Sequence, residues 1–254
     1  MGVSAKKIRV ELGGTTILHN IDFDAADGEL VGVLGPSGSG KSTLLLALNG
    51  FRPADEGVVH QDGRDLYENF QEMKREIGFV PQDDIVPRAL DVESVLEYAA
   101  ELRLPDFSAD AREGRVNGVI QKLDLANRRE LTVSKLSGGQ RKRVNVGVEL
   151  LARPSILYAD EPTSGLDPAL ERELTRTFKD LTADGSTVVL TTHVMTSLEL
   201  LDKVCLLHAG HLAYFGPVEK IKAYFGVDDF TDIYRRLEEH EPREWRAKLD
   251  HTDI

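Results

Sequence analysis

Cysteine and long apolar runs are scarce in this chain of 254 residues, and each scarcity excludes a class of protein. The single cysteine, Cys205, rules out an internal disulfide, and its apolar surroundings in KVCLL favour a buried packing thiol over a nucleophile. No apolar run is long enough to span a bilayer, and the start MGVSAKKIRV lacks the apolar core of a signal peptide. Lys6 also stands where a myristoylation motif has Ser or Thr. These absences predict a cytosolic chain.

Positive charge is also in deficit. The chain has 31 Lys and Arg residues against 43 Asp and Glu residues, which gives a formal net charge of -12. Because a nucleic-acid backbone requires a basic surface, we exclude nucleic acid as the main partner. The run RKR at 141–143 remains as a local basic patch that this balance does not exclude.

The pattern of apolar residues predicts an α/β protein. ELVGVL is nearly all apolar, as in a strand covered on both faces. SILYAD, STVVLTTH and DKVCLLHAG are further short apolar strands, separated by the helix-like stretches PALERELTRTFKDL and VMTSLELL. The N-terminal runs KIRVEL and TILHNIDF predict an antiparallel β edge, and the helical period from Asp91 to about Leu151 predicts an inserted helical lobe.

The stretch GPSGSGKST satisfies the pattern G-x-x-x-x-G-K-[ST] and lies between a predicted buried strand and a predicted helix. Its glycines let successive backbone N–H groups turn toward an anion, and the helix start adds its dipole. Lys41 is expected to reach the β- and γ-phosphates, and Ser42 to ligate Mg²⁺. The predicted phosphate-binding residues are Gly35, Pro36, Ser37, Gly38, Ser39, Gly40, Lys41, Ser42 and Thr43.

Two adjacent acidic residues follow the apolar strand ILYA. Adjacent residues of a strand point to opposite sides, so Asp160 and Glu161 can hold different positions at a magnesium nucleotide. We expect Asp160 to orient Mg²⁺ and its water molecules, and Glu161 to act as the general base that polarises the attacking water. The alternative is a solvated acidic strand end.

A second glycine turn, KLSGGQRKR, lies about a hundred residues after the first. Ser137 is a good N-cap, Gly138 and Gly139 allow close approach of the backbone, and QRKRVNVGVELL continues as an amphipathic helix. Such a helix start can bind a phosphate, yet one nucleotide needs only one cradle. The redundancy disappears if this turn serves the nucleotide of another copy of the chain.

Five motifs in this order, GPSGSGKST, LSGGQ, ILYADEP, SGLD and TTH, resemble the nucleotide-binding domain of the ATP-binding cassette (ABC) ATPases. The resemblance extends to about Gly226. It implies an α/β fold with a P-loop NTPase core of mainly parallel sheet and flanking helices, an antiparallel β subdomain and an inserted helical subdomain. We expect an ATPase domain over residues 1–226, its helical subdomain at about 86–151, and a C-terminal connector over 227–254. It also implies a head-to-tail homodimer with ATP between a phosphate loop and a partner's signature turn.

The resemblance assigns further roles to matching positions of this sequence. Gln82 matches the glutamine that touches Mg²⁺ and the water, and His193 matches the histidine that holds the γ-phosphate and positions Glu161. Asp167 matches the loop that links the two sites of the dimer. The residues that match the signature turn and bind nucleotide across the interface are Ser137, Gly138, Gly139 and Gln140.

One position departs from the family pattern. By spacing, Leu12 falls where the family stacks an aromatic residue on the adenine. An aliphatic side chain covers the base but loses a stacking contribution of roughly 1 kcal/mol. We therefore expect weak selectivity between bases.

The sequences around VPQDDIVPRALDVESVLEYAAELRLP and GGQRKRVNVGVELL are most similar to the G, or White-like, subfamily and its bacterial relatives with forkhead-associated domains. The resemblance implies ATP hydrolysis with Mg²⁺ coupled to transport, with export as the expected direction. The expected partner is a transmembrane domain in the same or another chain, and the expected location is the cytoplasmic face of the membrane. The alternatives are a non-transport ABC ATPase acting on chromosomes or ribosomes, and a regulatory nucleotide-binding module with little turnover.

Overall fold

The computed structural model describes residues 2–195 and 197–251, which form strands, α-helices and four 3₁₀ turns. The strands are β1 Val3–Leu12, β2 Thr15–Ala25, β3 Leu30–Leu34, β4 Glu56–Gln61, β5 Arg64–Asp65, β6 Ile77–Val80, β7 Ile156–Ala159, β8 Thr187–Thr192, β9 Lys203–His208 and β10 His211–Pro217. The helices are α1 Lys41–Leu48, α2 Phe70–Met73, α3 Val92–Arg103, α4 Ala109–Lys122, α5 Gly138–Leu150, α6 Pro168–Ala183, α7 Val218–Phe225, α8 Asp232–Leu237 and α9 Pro242–Asp250. The 3₁₀ turns are Lys74–Glu76, Ala126–Arg128, Val133–Lys135 and Leu198–Leu200.

The larger sheet has six strands in the order β10-β9-β3-β8-β7-β6. Neighbouring strands from β9 to β6 pair in parallel, and only the edge strand β10 runs antiparallel among the described residues. Because parallel strands all end at the same edge, the segments that follow β3, β7 and β8 come together there. The predicted α/β class with a mainly parallel sheet is confirmed.

The smaller sheet has four strands in the order β2-β1-β4-β5, and all its pairs are antiparallel. The N-terminal runs predicted as a β edge form β1 and β2, which pair from Val3 with Ala25 to Leu12 with Thr15. This sheet packs on one face of the larger sheet with α1 between them in a shared apolar cluster. The antiparallel subdomain is therefore confirmed.

The two faces of the larger sheet bury separate cores. In β3, which is buried at every residue, Val31 and Val33 pack against α1 and the smaller sheet. Leu30 and Leu34 point to the other face, where α3 to α9 cover the sheet. This alternation explains why the sequence of β3 is apolar throughout, as a strand covered on both sides requires.

Four helices begin at capping side chains that the sequence places directly before them. Asp91, Ser108, Ser137 and Asp167 each accept a hydrogen bond from a backbone N–H two or three residues further on. Such caps satisfy amides that have no partner within the helix, each with about 1 kcal/mol of stabilisation. Pro168 stands in the first turn of α6, as its position after Asp167 predicts.

Glu149 joins the α3 to α5 lobe to the larger sheet. This buried carboxylate on α5 accepts a hydrogen bond from the Phe79 backbone N–H of β6 at 3.3 Å and pairs with Arg103 of α3. Burial raises the pKa of Glu149, and the Arg103 guanidinium and the Phe79 N–H oppose that rise only in part. The surroundings of Glu149 between α3, α5 and β6 thus favour the protonated, neutral form of its carboxyl group.

The C-terminal helices return to the body of the protein. Trp245 of α9 is 2% exposed and donates its indole N–H to the Leu237 carbonyl of α8 at 2.9 Å. Its ring packs on Phe225, with centroids 4.8 Å apart. Arg246 pairs with Asp22 of β2 at 3.2 Å, so α9 also contacts the smaller sheet.

The prediction of a helix over VMTSLELL is wrong. This holds for the residues of the stretch that the structure describes, which do not include residue 196. Residues 193–195 are irregular, and a single 3₁₀ turn covers Leu198–Leu200. The Thr192 hydroxyl accepts a hydrogen bond from the Val194 N–H at 3.0 Å, a local turn that competes with a helix start. In residues 2–195 and 197–251, none of the helices combines the length and apolar character that crossing a bilayer demands.

We predict that Glu149→Gln removes a pH-dependent loss of stability. A carboxyl whose pKa is raised by folding stabilises the protein below its unfolded pKa, and that stabilisation is lost as the pH rises through the folded pKa. Glutamine keeps the acceptor for Phe79 and cannot ionise. The melting temperature of Glu149→Gln minus that of the wild type should therefore increase between about pH 4.5 and pH 7 in thermal unfolding experiments. A difference that stays constant with pH would contradict the assignment.

Candidate functional site

The phosphate loop leads from β3 into α1 at the carboxyl edge of the larger sheet. Lys41, the first residue of α1, is only 6% exposed and donates from Nζ to the carbonyl oxygens of Gly35 at 3.0 Å and Pro36 at 3.1 Å. The lysine thus folds back over its own loop. Its ammonium lies where the loop's curved backbone would present it to a phosphate.

The loop's curvature depends on residues without a Cβ. Gly35, Gly38 and Gly40 all have positive φ, at 150°, 77° and 98°. A Cβ on Gly35 would lie 2.4 Å from the Leu207 carbonyl oxygen and 2.4 Å from the Ser39 hydroxyl, whereas a Cβ on Gly38 would meet no atom within 4 Å. The start of the loop is tightly enclosed and its middle faces open space, as a cradle for a ligand requires.

Asp160, at the end of β7, lies beside the helix start of the phosphate loop. Its Oδ1 accepts hydrogen bonds from the Ser42 hydroxyl at 3.0 Å and the Thr191 hydroxyl of β8 at 2.6 Å. A serine hydroxyl and a carboxylate are the hard oxygen ligands that Mg²⁺ prefers, and the phosphates complete such a site. The predicted metal ligands Ser42 and Asp160 are thus adjacent. No group of three or more His, Cys, Asp and Glu ligands occurs in residues 2–195 and 197–251, and a site of this kind needs none.

Glu161 is the point where the predicted catalytic residues meet. Its carboxylate lies 3.7 Å from Lys41 Nζ, 3.5 Å from His193 Nδ1 and 3.5 Å from Gln82 Nε2. The backbone of Glu161 has a φ of 43°, which is uncommon for a residue with a side chain, and its N–H donates to the Thr191 hydroxyl at 2.8 Å. Strained backbone of this kind concentrates at functional sites.

The signature turn lies apart from the phosphate loop. Ser137 and Gln140 form a capping box: the Ser137 hydroxyl accepts from the Gln140 N–H at 3.3 Å, and the Gln140 side chain accepts from the Ser137 N–H at 3.1 Å. A Cβ on Gly138 would contact Leu166, and one on Gly139 would contact Leu170. A cleft of about 210 Å³ lies beside this turn. Among the described residues, the helical lobe and α6 line this cleft, and the phosphate loop contributes no residue to it.

Asp167 and Leu12 are the remaining predicted positions, and they lie on different elements. Asp167 caps α6, where its side chain accepts from the N–H groups of Ala169 and Leu170 at 3.0 Å and 3.1 Å. Leu12 is 37% exposed at the end of β1. The apolar side chain of Leu12 is thus available at the surface.

A network that sequence reasoning missed joins the Gln82 loop to the signature helix α5. Lys142 donates to the Gln82 carbonyl oxygen, and Asp84 pairs with Arg141 at 3.3 Å and Lys142 at 3.5 Å. Asn145 donates to Asp84 at 3.0 Å. Arg141 and Lys142 of the basic run therefore bind a carboxylate and a carbonyl of the Gln82 loop, and no local signal in the sequence indicated that arrangement.

A glycine-rich loop between a buried strand and a helix, with an acidic pair on the neighbouring strand, defines a phosphate-loop nucleotide-binding protein. The family model described as "ABC transporter" matches residues 18–164 of the chain. The chain belongs to the ABC transporter family.

Relatives in bacteria and plants agree with this assignment. The chain is 42% identical over 224 residues to the ABC transporter ATP-binding/permease protein Rv1747 of Mycobacterium tuberculosis, covering 87% of this chain and 26% of that protein. It is 39% identical to ABC transporter G family member 28 of Arabidopsis thaliana, covering 88% of this chain and 21% of that protein. The chain thus spans about a quarter of the length of these relatives.

Solved structures share the fold. An ATP-binding cassette in a dimeric post-hydrolysis state with ADP and phosphate superimposes with a TM-score of 0.74 at 27% identity, over 85% of this chain and 98% of that one. A subunit of the cbiONQ transporter complex of Clostridium perfringens gives a TM-score of 0.81 at 24% identity, over 96% and 97% of the two chains. At that identity the second likeness concerns the fold alone.

We predict that Gly35→Ala impairs nucleotide binding far more than Gly38→Ala. The first substitution forces a Cβ against a carbonyl oxygen and the Ser39 hydroxyl, whereas the second costs only the left-handed backbone, about 1 kcal/mol. Calorimetric titration with Mg-ADP should give no measurable binding for Gly35→Ala and a modest loss of affinity for Gly38→Ala. Equal affinities of the two variants would contradict this account of the loop.

Proposed function

We propose that the chain binds and hydrolyses Mg-ATP in a head-to-tail dimer, and that this cycle powers transport through a transmembrane domain. The observation that carries the proposal is the convergence of Lys41, Gln82 and His193 on the Glu161 carboxylate, beside the Ser42 and Asp160 oxygens. A carboxylate so placed can accept a proton from a water that attacks the γ-phosphate.

Each residue at this edge has a separate task in the proposed reaction. Lys41 leaves the Gly35 and Pro36 carbonyls to bind the β- and γ-phosphates, which frees Glu161 from its ammonium. Glu161 holds the attacking water by hydrogen bonding, and His193 positions Glu161 through its Oε2 oxygen, whereas Lys41 faces Oε1. Gln82 adds an amide next to the same carboxylate.

Ser42 and Asp160 would hold Mg²⁺, and Gln82, whose amide nitrogen lies 3.5 Å from Glu161, is proposed as the third residue to touch it. The Ser42 hydroxyl and the Asp160 carboxylate already lie within hydrogen-bond distance, at 3.0 Å. When bound, the metal neutralises charge that develops on the phosphate oxygens. The chain's own contribution is to keep Asp160 in place through the Thr191 hydroxyl.

The signature turn supports a dimer. Its residues Ser137, Gly138, Gly139 and Gln140 start a helix whose N-terminal amides can bind a phosphate, yet they contact residues of the lobe and α6 instead of the phosphate loop of the same chain. A second copy in head-to-tail orientation supplies a phosphate loop to each turn. Asp167, close to the turn through Leu166, would then link the two sites.

The transport role rests on family membership and on the relatives' names. Rv1747 is named as an ATP-binding/permease protein, and the plant relatives are G family transporters. We therefore propose a transmembrane partner, with the chain at the cytoplasmic face and export as the direction. Leu12 is proposed to cover the base with reduced discrimination between adenine and guanine.

We predict that Glu161→Gln lowers the rate of ATP hydrolysis by at least about a hundredfold, because glutamine cannot accept the proton. Mg-ATP binding should persist, since Lys41, Ser42 and the loop are unchanged. Phosphate release and equilibrium titration measure the two effects. The exposed carboxylate Glu199, which pairs with Arg172, offers a control: Glu199→Gln should hydrolyse ATP like the wild type. Near wild-type turnover by Glu161→Gln would reject the proposed base.

We also predict that Ser137→Arg spares Mg-ADP binding but lowers ATP hydrolysis at least about tenfold, because its bulk fills the place of the partner's phosphate. Since Ser137 is also a helix cap, Ser108→Arg serves as the matched control, removing an equivalent cap from α4. The control should lose a similar amount of stability and keep its activity. Full activity of Ser137→Arg would exclude the signature turn from catalysis.

A further inference from the structure

His193 reaches Glu161 from a short loop that follows β8. The side chain of His193 is 53% exposed, so its own packing does little to fix where the imidazole lies. Within the loop, the Thr192 hydroxyl accepts a hydrogen bond from the Val194 N–H at 3.0 Å. The position of the imidazole therefore depends on what fixes the two ends of this loop.

The larger sheet fixes the first end of the loop, and a buried carboxylate fixes the second. Thr192 pairs with Leu34 in the parallel ladder between β8 and β3. Ser197, at the far end, donates its hydroxyl to Oε2 of Glu171 on α6 at 2.6 Å. Ser197 and Glu171 are each only 4% exposed. A hydrogen bond to a carboxylate that is shielded from water is stronger than one between neutral groups at the surface.

The carboxylate of Glu171 is also held from within its own helix. The Thr175 hydroxyl donates to Glu171 Oε1 at 3.2 Å and to the Glu171 backbone carbonyl at 2.9 Å. One carboxylate oxygen thus accepts from α6 and the other from the loop. An apolar residue would fill a buried position at a lower cost in desolvation, so a glutamate here indicates a role beyond packing.

Glu171 lies beside the loops that follow β7 and β8. It lines a small pocket together with Thr163 from the first loop and Val194 from the second. The loop after β7 contains Glu161, and the loop after β8 contains His193. The two predicted catalytic side chains are therefore carried by loops that both adjoin the Glu171 side chain.

A second link between α6 and this region is exposed to solvent. Arg172 pairs with Glu199 in the 3₁₀ turn that follows Ser197, and the two side chains are 43% and 46% exposed. Exposed ion pairs contribute little because water and salt screen them. The buried bond between Ser197 and Glu171 is therefore the stronger anchor of the loop.

We propose that Glu171 is a positioning residue that anchors Ser197, so that the loop after β8 presents His193 to the γ-phosphate. This inference rests on the proposed role of His193 in hydrolysis. Helix α6 begins at its cap Asp167, which belongs to the loop proposed to link the two sites of a dimer. Through Glu171, the helix that starts at that loop also holds the histidine of its own chain's site.

The test compares Ser197→Ala with Thr175→Val in the full chain. Each variant removes one hydroxyl that donates to the Glu171 carboxylate, but only Ser197 belongs to the loop that carries His193. The kcat of ATP hydrolysis and the affinity for Mg-ADP are measured for both variants, well below their melting temperatures. Mg-ADP is the reference ligand because it lacks the γ-phosphate that His193 is proposed to hold.

For Ser197→Ala we expect kcat to fall about three- to tenfold, because the loss of one hydrogen bond to a carboxylate loosens the loop. Its affinity for Mg-ADP should stay that of the wild type, since the phosphate loop is unaltered. Thr175→Val should keep both the kcat and the affinity of the wild type. An unchanged kcat in Ser197→Ala would overturn the proposal, and so would an equal fall in Thr175→Val or a loss of Mg-ADP affinity in Ser197→Ala.

A third variant shows whether Ser197 acts through the histidine. In a His193→Ala background, followed over hours by phosphate release, Ser197→Ala should change kcat by less than about twofold, because no imidazole is left to position. An undiminished fall in that background would also overturn the proposal. Wild-type kcat in His193→Ala alone would instead reject the role of His193 in the proposed function.

Discussion

The parallel pairing of β3, β8 and β7 is the constraint on which the site depends. Leu34 pairs with Thr192, and Ala159 pairs with Leu190, so the segments that follow these strands leave the sheet at one edge. The phosphate loop, the acidic pair and His193 come from three distant parts of the chain. If one of these strands were shifted in register by one residue, each of its side chains would move to the opposite face of the sheet, and these contacts would be lost.

Charge at this edge is arranged around a single carboxylate. Glu161 faces an ammonium, an imidazole and an amide, while Asp160 next to it is occupied by two hydroxyls. Both residues lie beyond the end of β7 at Ala159, and the left-handed backbone of Glu161, with a φ of 43°, turns its carboxylate into a different environment from that of Asp160. Without a nucleotide, the Gly35 carbonyl of the phosphate loop accepts a hydrogen bond from Lys41, and the signature turn is closed by its own capping box. Each half of the composite site is therefore stable before the two halves meet.

The sequence predicted the features whose signals are local. Ser137 and Asp167 were recognisable as helix caps, and the glycine loop as a phosphate cradle, because short-range geometry restricts which residues can occupy such positions. The all-apolar β3 likewise indicated a strand covered on both faces. The family resemblance then assigned Gln82 and His193, and the structure places both within 3.5 Å of Glu161.

Features that depend on packing between distant segments could not be predicted. Nothing near Asp84 indicates that Lys142 and Asn145 will reach it, and nothing near Trp245 indicates that its ring will pack on Phe225. The helix expected after His193 failed for a different reason: its apolar spacing resembles a helical period, but the Thr192 hydroxyl binds the Val194 N–H first. Tertiary contacts and side-chain hydrogen bonds outweigh periodicity in such short stretches.

The central claim is that one chain completes the nucleotide site of another. It is tested most directly by measuring ATP hydrolysis per chain over a dilution series while light scattering reports the mass of the particles under the same conditions. The account predicts that hydrolysis per chain falls in step with the fraction of dimer as the protein is diluted. A sample that is monomeric throughout and hydrolyses ATP at the full rate per chain would contradict it.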